Sequence, residues 1–554
     1  MSTLNNIKTR NELAYFLNFT PTKLAFILFK RGIDSYYKEF QIPKKSGGFR
    51  QICASKGDLK YLQRQLAYAL HNHQKEVFDN IEVSHAFEKG KSIITNAKIH
   101  RNRRFILNID LKDFFDSFHF GRVLGFFEKN KYYNLPHEVA VTISQLACYN
   151  GKLPQGAPSS PIITNLICQS LDIRILTLSK KYKLNYTRYA DDLTFSTNDK
   201  SFLNKADEFY LKLNKLITKA GFSINEKKTR LTYCNAKQTV TGLVVNKKIN
   251  IDRLYYRNVR AMAHSLYTKG SFFINGVEGN INQLEGKFAF IDQIDRYNNR
   301  IDNTKHNFNN LSGQEKQYQK FLFFRYFFDA EKPTIITEGK TDTRYIKAAL
   351  KKLYLDYPSL IEKNNDGKFI YKINFFKRSN RLYKFFNLSK DGADAMTKIY
   401  DLFDPNKQKY LDYFLKITNK NPNNPIILLF DNEMVNNKPL HKFVSKIKLG
   451  NNQLELIKNE LFCKLIPKGN LYLLTIPLYE EEESEIENLF DETALNVELS
   501  GKKFSLNSNF DNKLYFGKDY FSKYVLTNWQ TINFDRFRPF LDTLSKIVQN
   551  YNKP

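Results

Sequence analysis

Two groups of acidic residues in this 554-residue chain stand where acids are costly. Asp110 closes the apolar run FILNIDL (105–111), and Asp191 and Asp192 sit side by side within LNYTRYADDLTFST (184–197). In the second half, Glu338 follows TIIT (334–337), Asp431 and Glu433 follow PIILLF (425–430), and Glu487 lies in IENLF (486–490). Burying an unpaired carboxylate is unfavourable, and capping or a salt bridge would account for any one of these acids taken singly. Taken together, Asp110, Asp191 and Asp192 make a candidate Mg²⁺ (or Mn²⁺) site. Two-metal phosphoryl transfer needs such oxygens to hold ions about 3.5–4 Å apart over the attacking and leaving oxygens. The second group, Glu338, Asp431, Glu433 and Glu487, raises the same question in the second half of the chain.

The elements that must carry these acids can be read from pattern. FILNIDL reads as a buried strand and LNYTRYADDLTFST as a hairpin with the Asp pair in its turn. FQIPKKSGGFRQI (40–52) reads as two short strands joined by a Ser-Gly-Gly turn, and LKYLQRQLAYALHNHQKEVF (59–78) as an amphipathic helix. VTGLVVN (240–246) is another strand, and 251–330 is mostly helical. After Pro333 the texture changes to strand–helix alternation, the mark of a small α/β unit. TIITEGKTD (334–342) is not a phosphate-binding P-loop, because Thr334 stands where that loop needs Gly. The boundary is expected near 325–333. The run Glu480–Glu483 reads as a solvated loop.

Composition bounds the rest. Residues 1–330 carry 51 Lys/Arg against 28 Asp/Glu, and residues 331–554 carry 35 against 28. A polyanionic partner, nucleic acid above all, is therefore expected for the first part. The five Cys are scattered without a CxxC pair, which excludes a zinc ribbon. MSTLNNIKTR lacks the apolar stretch of a secretory signal, and apolar runs such as PIILLF fall far short of the ~20 residues of a membrane helix. A soluble cytoplasmic protein with no membrane partner is expected.

YADD (189–192) with its strand flanks resembles the catalytic box of reverse transcriptases. The other motifs follow in that family's order: FQIPKKSGGFR (40–50) resembles the fingers hairpin, NIDLKDFF (108–115) the first catalytic motif, and LPQGAPSSP (153–161) the nucleotide-pocket loop. GFSINEKKTRL (221–231) and VTGLVV (240–245) complete the set. The resemblance covers about residues 10–325. It implies a right-hand polymerase, with fingers and palm over 1–250 and a thumb over 251–330. It assigns the metals to Asp110, Asp191 and Asp192, and the incoming triphosphate to Lys44 and Arg50. Gln155 and Gly156 would approach nucleotide and template. Phe115 would exclude a 2′-OH, so that the product is DNA, and Lys228 would protonate the leaving pyrophosphate.

NAKIH (96–100) and VTG (240–242) resemble the two signatures of retron reverse transcriptases, which are bacterial. That likeness implies a cognate structured non-coding RNA, copied from dNTPs into DNA joined to it by a 2′–5′ bond. Asn96 and His100, four apart, would share a helix face that holds RNA. In DRLYYRNVRAMAHSLY (252–267), Arg253, Arg257 and Arg260 recur at helical spacing among tyrosines, a combination suited to backbone contact plus base stacking.

TIITEG with Asp342, then DNE (431–433), resembles the paired motifs of TOPRIM domains, over about 333–500. That likeness implies Glu338 as the acid/base and a metal ligand, and Asp431, Glu433 and Glu487 as further ligands; Glu433 departs from the Asp usual there. The whole chain is thus similar to retron proteins with a fused TOPRIM effector over 331–554: α+β and α/β multidomain, Mg²⁺-dependent in both sites. That architecture implies a nuclease or toxin that meets a nucleic-acid target in anti-phage defence; an inert nucleic-acid-binding scaffold is the alternative. RNA, trigger, target and any homo-oligomer stay open.

Overall fold

The computed structural model describes residues 4–551 apart from 45–46, 78–81, 305, 390–393, 479–482 and 508–509. Part of the Ser-Gly-Gly turn and most of the Glu480–Glu483 run lie outside the described residues. The chain divides into two compact units, Met1–Arg253 and Leu254–Pro554.

In the first unit, β1 (Tyr37–Pro43) and β2 (Phe49–Ser55) form an antiparallel hairpin that pairs Pro43 with Phe49. Most of it is exposed, so it projects from its unit. The central sheet has the order β4-β5-β3-β6 and is antiparallel throughout. Its strands are β3 (Phe105–Asp110), β4 (Asn185–Tyr189), β5 (Asp192–Thr197) and β6 (Arg230–Tyr233). Helix Ser160–Lys181 packs against β4. By length and composition this helix could cross a membrane, unlike the shorter runs singled out from sequence. Here it is a core helix, with Ile162, Ile163, Leu166, Leu171 and Ile175 all buried. The short strands β7 (Thr239–Val240) and β8 (Leu243–Val244) are joined by Thr241 and Gly242, both at positive φ (46° and 82°). Two left-handed residues in a two-residue loop are what a tight hairpin turn demands.

The second unit begins with helices Arg253–Lys269, Ile281–Ile301 and Gly313–Phe323; between the first two lies a small hairpin, β9 (Phe273–Ile274) with β10 (Val277–Glu278). Then comes a five-stranded sheet of order β14-β11-β15-β17-β16. It consists of β11 (Thr334–Ile336), β14 (Asn374–Phe375), β15 (Ile426–Phe430), β16 (Phe462–Lys464) and β17 (Leu471–Thr475); the pair β12 (Ile361–Lys363) and β13 (Phe369–Tyr371) stands apart from it. All its pairings are parallel except that of β16. β15 is buried along its whole length, as a parallel strand covered on both faces must be. A strand at Lys502–Phe504 and a closing helix at Arg538–Tyr551 occupy the C-terminal stretch.

The division at 253 differs from the boundary expected near 330. The reason is an aromatic seam that crosses residue 330. Phe323 and Phe327 pack on Phe403, and Phe324 and Phe328 on Phe414. Beside the seam, the half-buried Lys384 ammonium lies 2.6 Å from Asp292 and 2.5 Å from Glu315, which also takes the His306 imidazole at 2.7 Å. Segment 254–330 therefore shares its core with residues C-terminal to 330.

Candidate active site and comparison with known proteins

β3 and β5 pair so that Asp110 stands directly opposite Asp192, and the hairpin turn Ala190-Asp191 precedes Asp192. Residues directly opposite in an antiparallel pair share one face of the sheet. The Leu111 N–H also donates to the Asp191 carbonyl at 2.9 Å, which locks the turn beside the end of β3. The three acids picked out from sequence are thus brought together. Burial pushes the Asp192 carboxyl up to about 7, helped by the charges of Asp191 and Asp110. Burial likewise raises Asp191, against which Asp110 adds and Lys228 and Arg50 subtract. Carboxylates crowded in this way call for added positive charge, and an all-oxygen set suits a hard divalent cation. Among the described residues no three ligand groups already converge on one point. Asp110 is instead occupied by two donors: Lys228 Nζ at 2.9 Å and Asn225 Nδ2 at 3.0 Å. Of the two neighbouring lysines, Lys228 and not Lys227 bonds to Asp110 among the described residues. That hydrogen bond above all raises the Lys228 ammonium above its ordinary range.

The hairpin brings Arg50 within electrostatic reach of Asp191, while Lys44 sits at its turn, its N–H donating to the Gly48 carbonyl at 2.9 Å. The Gln155 carbonyl accepts the Cys53 N–H at 2.8 Å, so the 153–157 loop is stitched to β2. Gly156 has φ +122°, and a Cβ there would stand 2.9 Å from the Cys53 carbonyl oxygen and 2.9 Å from Ile52 Cγ2. Only glycine fits this approach. Phe114 and Phe118 are buried in the core, whereas Phe115 is half-buried and leaves part of its ring accessible.

Asn96 and His100 do not form the RNA-facing surface expected from their spacing. Both are fully buried. Helix Ile93–Ile99 packs against β4, β7 and β8, which turns the polar pair inward and sets the NAKIH segment against the VTG turn. The His100 imidazole bonds Ser196 Oγ through Nδ1 and Thr187 Oγ1 through Nε2, each at 2.7 Å. Neither amide atom of Asn96 has a partner among the described residues. Arg253, Arg257 and Arg260 do lie exposed along helix Arg253–Lys269. Arg260 stands 5.7 Å from the centre of the Tyr256 ring, while Tyr267 is buried against Phe324 and Phe414.

In the second unit, Glu338 and Asp431 follow the neighbouring parallel strands β11 and β15, at their C-terminal ends. This is the edge where open α/β sheets place their sites. Burial pushes the Glu338 carboxyl up to about 7, with Asp342 and Glu433 adding to it, and its Oε1 has no hydrogen-bond partner among the described residues. Asp431 is raised by burial and then by Asp342, Glu338 and Glu487, although it accepts the Ile486 N–H at 2.9 Å. Glu487, 1% exposed, is held by Lys518 at 3.1 Å and by the Tyr345 hydroxyl at 3.3 Å. Glu433 is taken by Lys438 at 2.6 Å. The four acids named from sequence are brought to one edge, where Asp342 joins them.

Two structural partners escaped sequence reasoning. Arg188, 1% exposed, lies inside β4 and grips Asp172 with three hydrogen bonds of 2.7–3.1 Å, beneath the YADD turn. Its signal was a charged residue within an otherwise apolar-patterned strand. Asn225 stood inside a quoted motif, but nothing in its spacing marked it.

The model of the family "Reverse transcriptase (RNA-dependent DNA polymerase)" matches residues 42–264. The Retron Ec86 reverse transcriptase of Escherichia coli is 36% identical over 273 residues, 48% of this chain and 79% of that one. The Retron Mx162 reverse transcriptase of Myxococcus xanthus is 33% identical over 53% of this chain, which spans 65% of that protein, a little under two thirds. A solved telomerase from Candida albicans, in complex with a telomeric RNA fragment, is 11% identical, with a TM-score of 0.29 over 52% of this chain and 60% of that one, a likeness too low to carry weight. With the Ec86 enzyme matched over four fifths of its length and the carboxylates gathered on one palm sheet, the chain belongs to the retron reverse transcriptases and is an RNA-directed DNA polymerase.

Proposed function

We propose that this polymerase copies its own structured non-coding RNA into DNA that stays joined to it by a 2′–5′ bond, and that residues 331–554 are a TOPRIM-like, Mg²⁺-dependent nuclease used against phage. The observation that carries the polymerase half is the register that sets Asp110 opposite Asp192 with Asp191 in the adjoining turn. Reverse transcriptases use divalent ions. Bound by these three carboxylates, Mg²⁺ or Mn²⁺ would activate the attacking hydroxyl and stabilise the charge on the leaving pyrophosphate. The chain's own residues do the rest. Arg50 and Lys44 bind the triphosphate of the incoming dNTP, and Gln155 and Gly156 line its path. Phe115 excludes a 2′-OH, and Lys228 gives its Nζ proton to the departing pyrophosphate. Arg253, Arg257 and Arg260 grip the RNA.

The test is to replace Asp191 and Asp192 by Asn in the full chain, expressed with its RNA in bacteria, and to probe for RNA-linked DNA. The product should vanish while the protein still accumulates; undiminished product would overturn the assignment.

The nuclease reading is supported by Glu338 and Asp431 at adjacent parallel strand ends, with Asp342 and Glu487 beside them. The scaffold alternative is favoured by one observation, the capture of Glu433 by Lys438. Expression without the RNA separates them: a parent that arrests growth and a harmless Glu338→Ala variant would support the nuclease, and equal growth the scaffold.

A further inference from the structure

Helix Pro439–Ile447 starts six residues after Glu433 and runs away from the acidic edge of the second unit. Beside it lies an open surface hollow of about 560 Å³, lined by Asn436, Asn437, His441, Lys442, Ser445 and Lys446. Every one of these side chains can donate a hydrogen bond and none carries a negative charge. Lys438, Lys442 and Lys446 recur every fourth residue, so they form one row along the helix, each about 6 Å from the next. A row of like charges at this spacing is unfavourable for the helix itself. Lys438 at its head reaches Glu433 at 2.6 Å, which fixes one end of the row at the carboxylates. Lys446 comes to 4.0 Å of the exposed Asp394, and Lys442 has no ion pair among the described residues.

We propose that this hollow is a track for the sugar–phosphate backbone of a nucleic-acid strand on its way to the Glu338–Asp431–Glu433 edge. The proposal rests on the reading of the second unit as one that acts on nucleic acid. Phosphates would pair with Lys442 and compete for Lys446 with the exposed Asp394, and the Asn, Ser and His groups would donate to phosphate oxygens and sugar, contacts that carry no sequence preference. RNA and DNA strands share this chemistry, so both should occupy the track.

The test is lysine acetylation followed by mass spectrometry on the full chain, with and without a short single-stranded RNA or the DNA of the same sequence. Lys442 and Lys446 should react several-fold more slowly with either strand present, and the protection should fade as salt is raised. Lys416, exposed on helix Tyr410–Thr418, serves as the comparison. Unchanged reactivity of Lys442 and Lys446 with both strands overturns the track, whatever the enzyme does. In a chain that cleaves nucleic acid, Lys442→Glu with Lys446→Glu should raise KM about tenfold with kcat kept. Protection without cleavage by the parent keeps the track and removes the nuclease. Protection by a strand together with an unchanged KM in a cleaving enzyme overturns the path to the carboxylates.

Discussion

Single side chains in this protein are tuned by where the backbone buries them. Burial, aided by His85 and Arg103, holds the His100 imidazole down at about 3, and burial with Lys91 holds His85 at about 4. In the unfolded chain both titrate near 6.5. Their folded values are depressed, so the unfolded state binds more protons between those limits. Their contribution to stability is complete above about pH 6.5 and falls as the pH drops toward 3, by up to roughly 1.4 kcal/mol per pH unit for each group. Urea titrations at pH 7 and pH 5 should show His100→Asn losing less stability on acidification than the parent, by about 1–2 kcal/mol. At the palm, Asn225 holds Asp110 through its Nδ2 at 3.0 Å. Asn225→Ala should lower kcat about 10–100-fold with little change in KM for dNTP, as loss of a partner behind a ligand does. Titration behaviour of this kind is illegible in sequence. NAKIH shows which residues lie four apart, but only the packing of β4, β7 and β8 decides that they face inward.

At the level of elements, turns and strand ends were the most legible part of the molecule. A single acid ending FILNI, and an acid pair between two alternating runs, are enough to specify a strand and a hairpin, and the register then follows from the turn. The support beneath the hairpin was not legible, because Arg188 and Asp172 lie 16 residues apart on different elements. Burial disfavours the Arg188 charge, yet Asp172 more than restores it and holds the guanidinium above its ordinary range. Arg188→Met alone leaves Asp172 buried and unpaired and should cost about 3–5 kcal/mol in thermal or urea unfolding, whereas Arg188→Met with Asp172→Leu should cost markedly less. The loop at Gly156 makes a second case. Gly156→Ala drives a methyl against the Cys53 carbonyl in a left-handed conformation, and should cost about 1–3 kcal/mol while displacing β2. Its dNTP KM, measured well below its melting temperature, should rise several-fold.

At the scale of the whole chain, sequence pattern locates the change from helical to α/β texture near 330, and that change is real as chain order. The compact unit nevertheless begins at 254, since Phe323, Phe324, Phe327 and Phe328 bury their apolar surface against residues 403 and 414. Contacts made across about 80 residues of chain leave no local signature. A protein ended at residue 330 would expose that surface, so it should aggregate on expression, measured as the soluble fraction against the intact chain. Lys384→Met should destabilise the second unit by about 1–3 kcal/mol, because it removes the ammonium that Asp292 and Glu315 share and leaves them Arg296 and His306 alone.

The Lys384 ammonium also bears on descent. A gene fusion that joined a new effector to such a polymerase at the visible change of texture would take the Lys384 ammonium away from Asp292 and Glu315 and leave them only Arg296 and the His306 imidazole. An exchanged cassette that carries helices Ile281–Ile301 and Gly313–Phe323 with it, or arrives with a cation already placed between them, keeps this cluster whole. Lineages that swap effectors should therefore show their recombination junctions nearer 254 than 330.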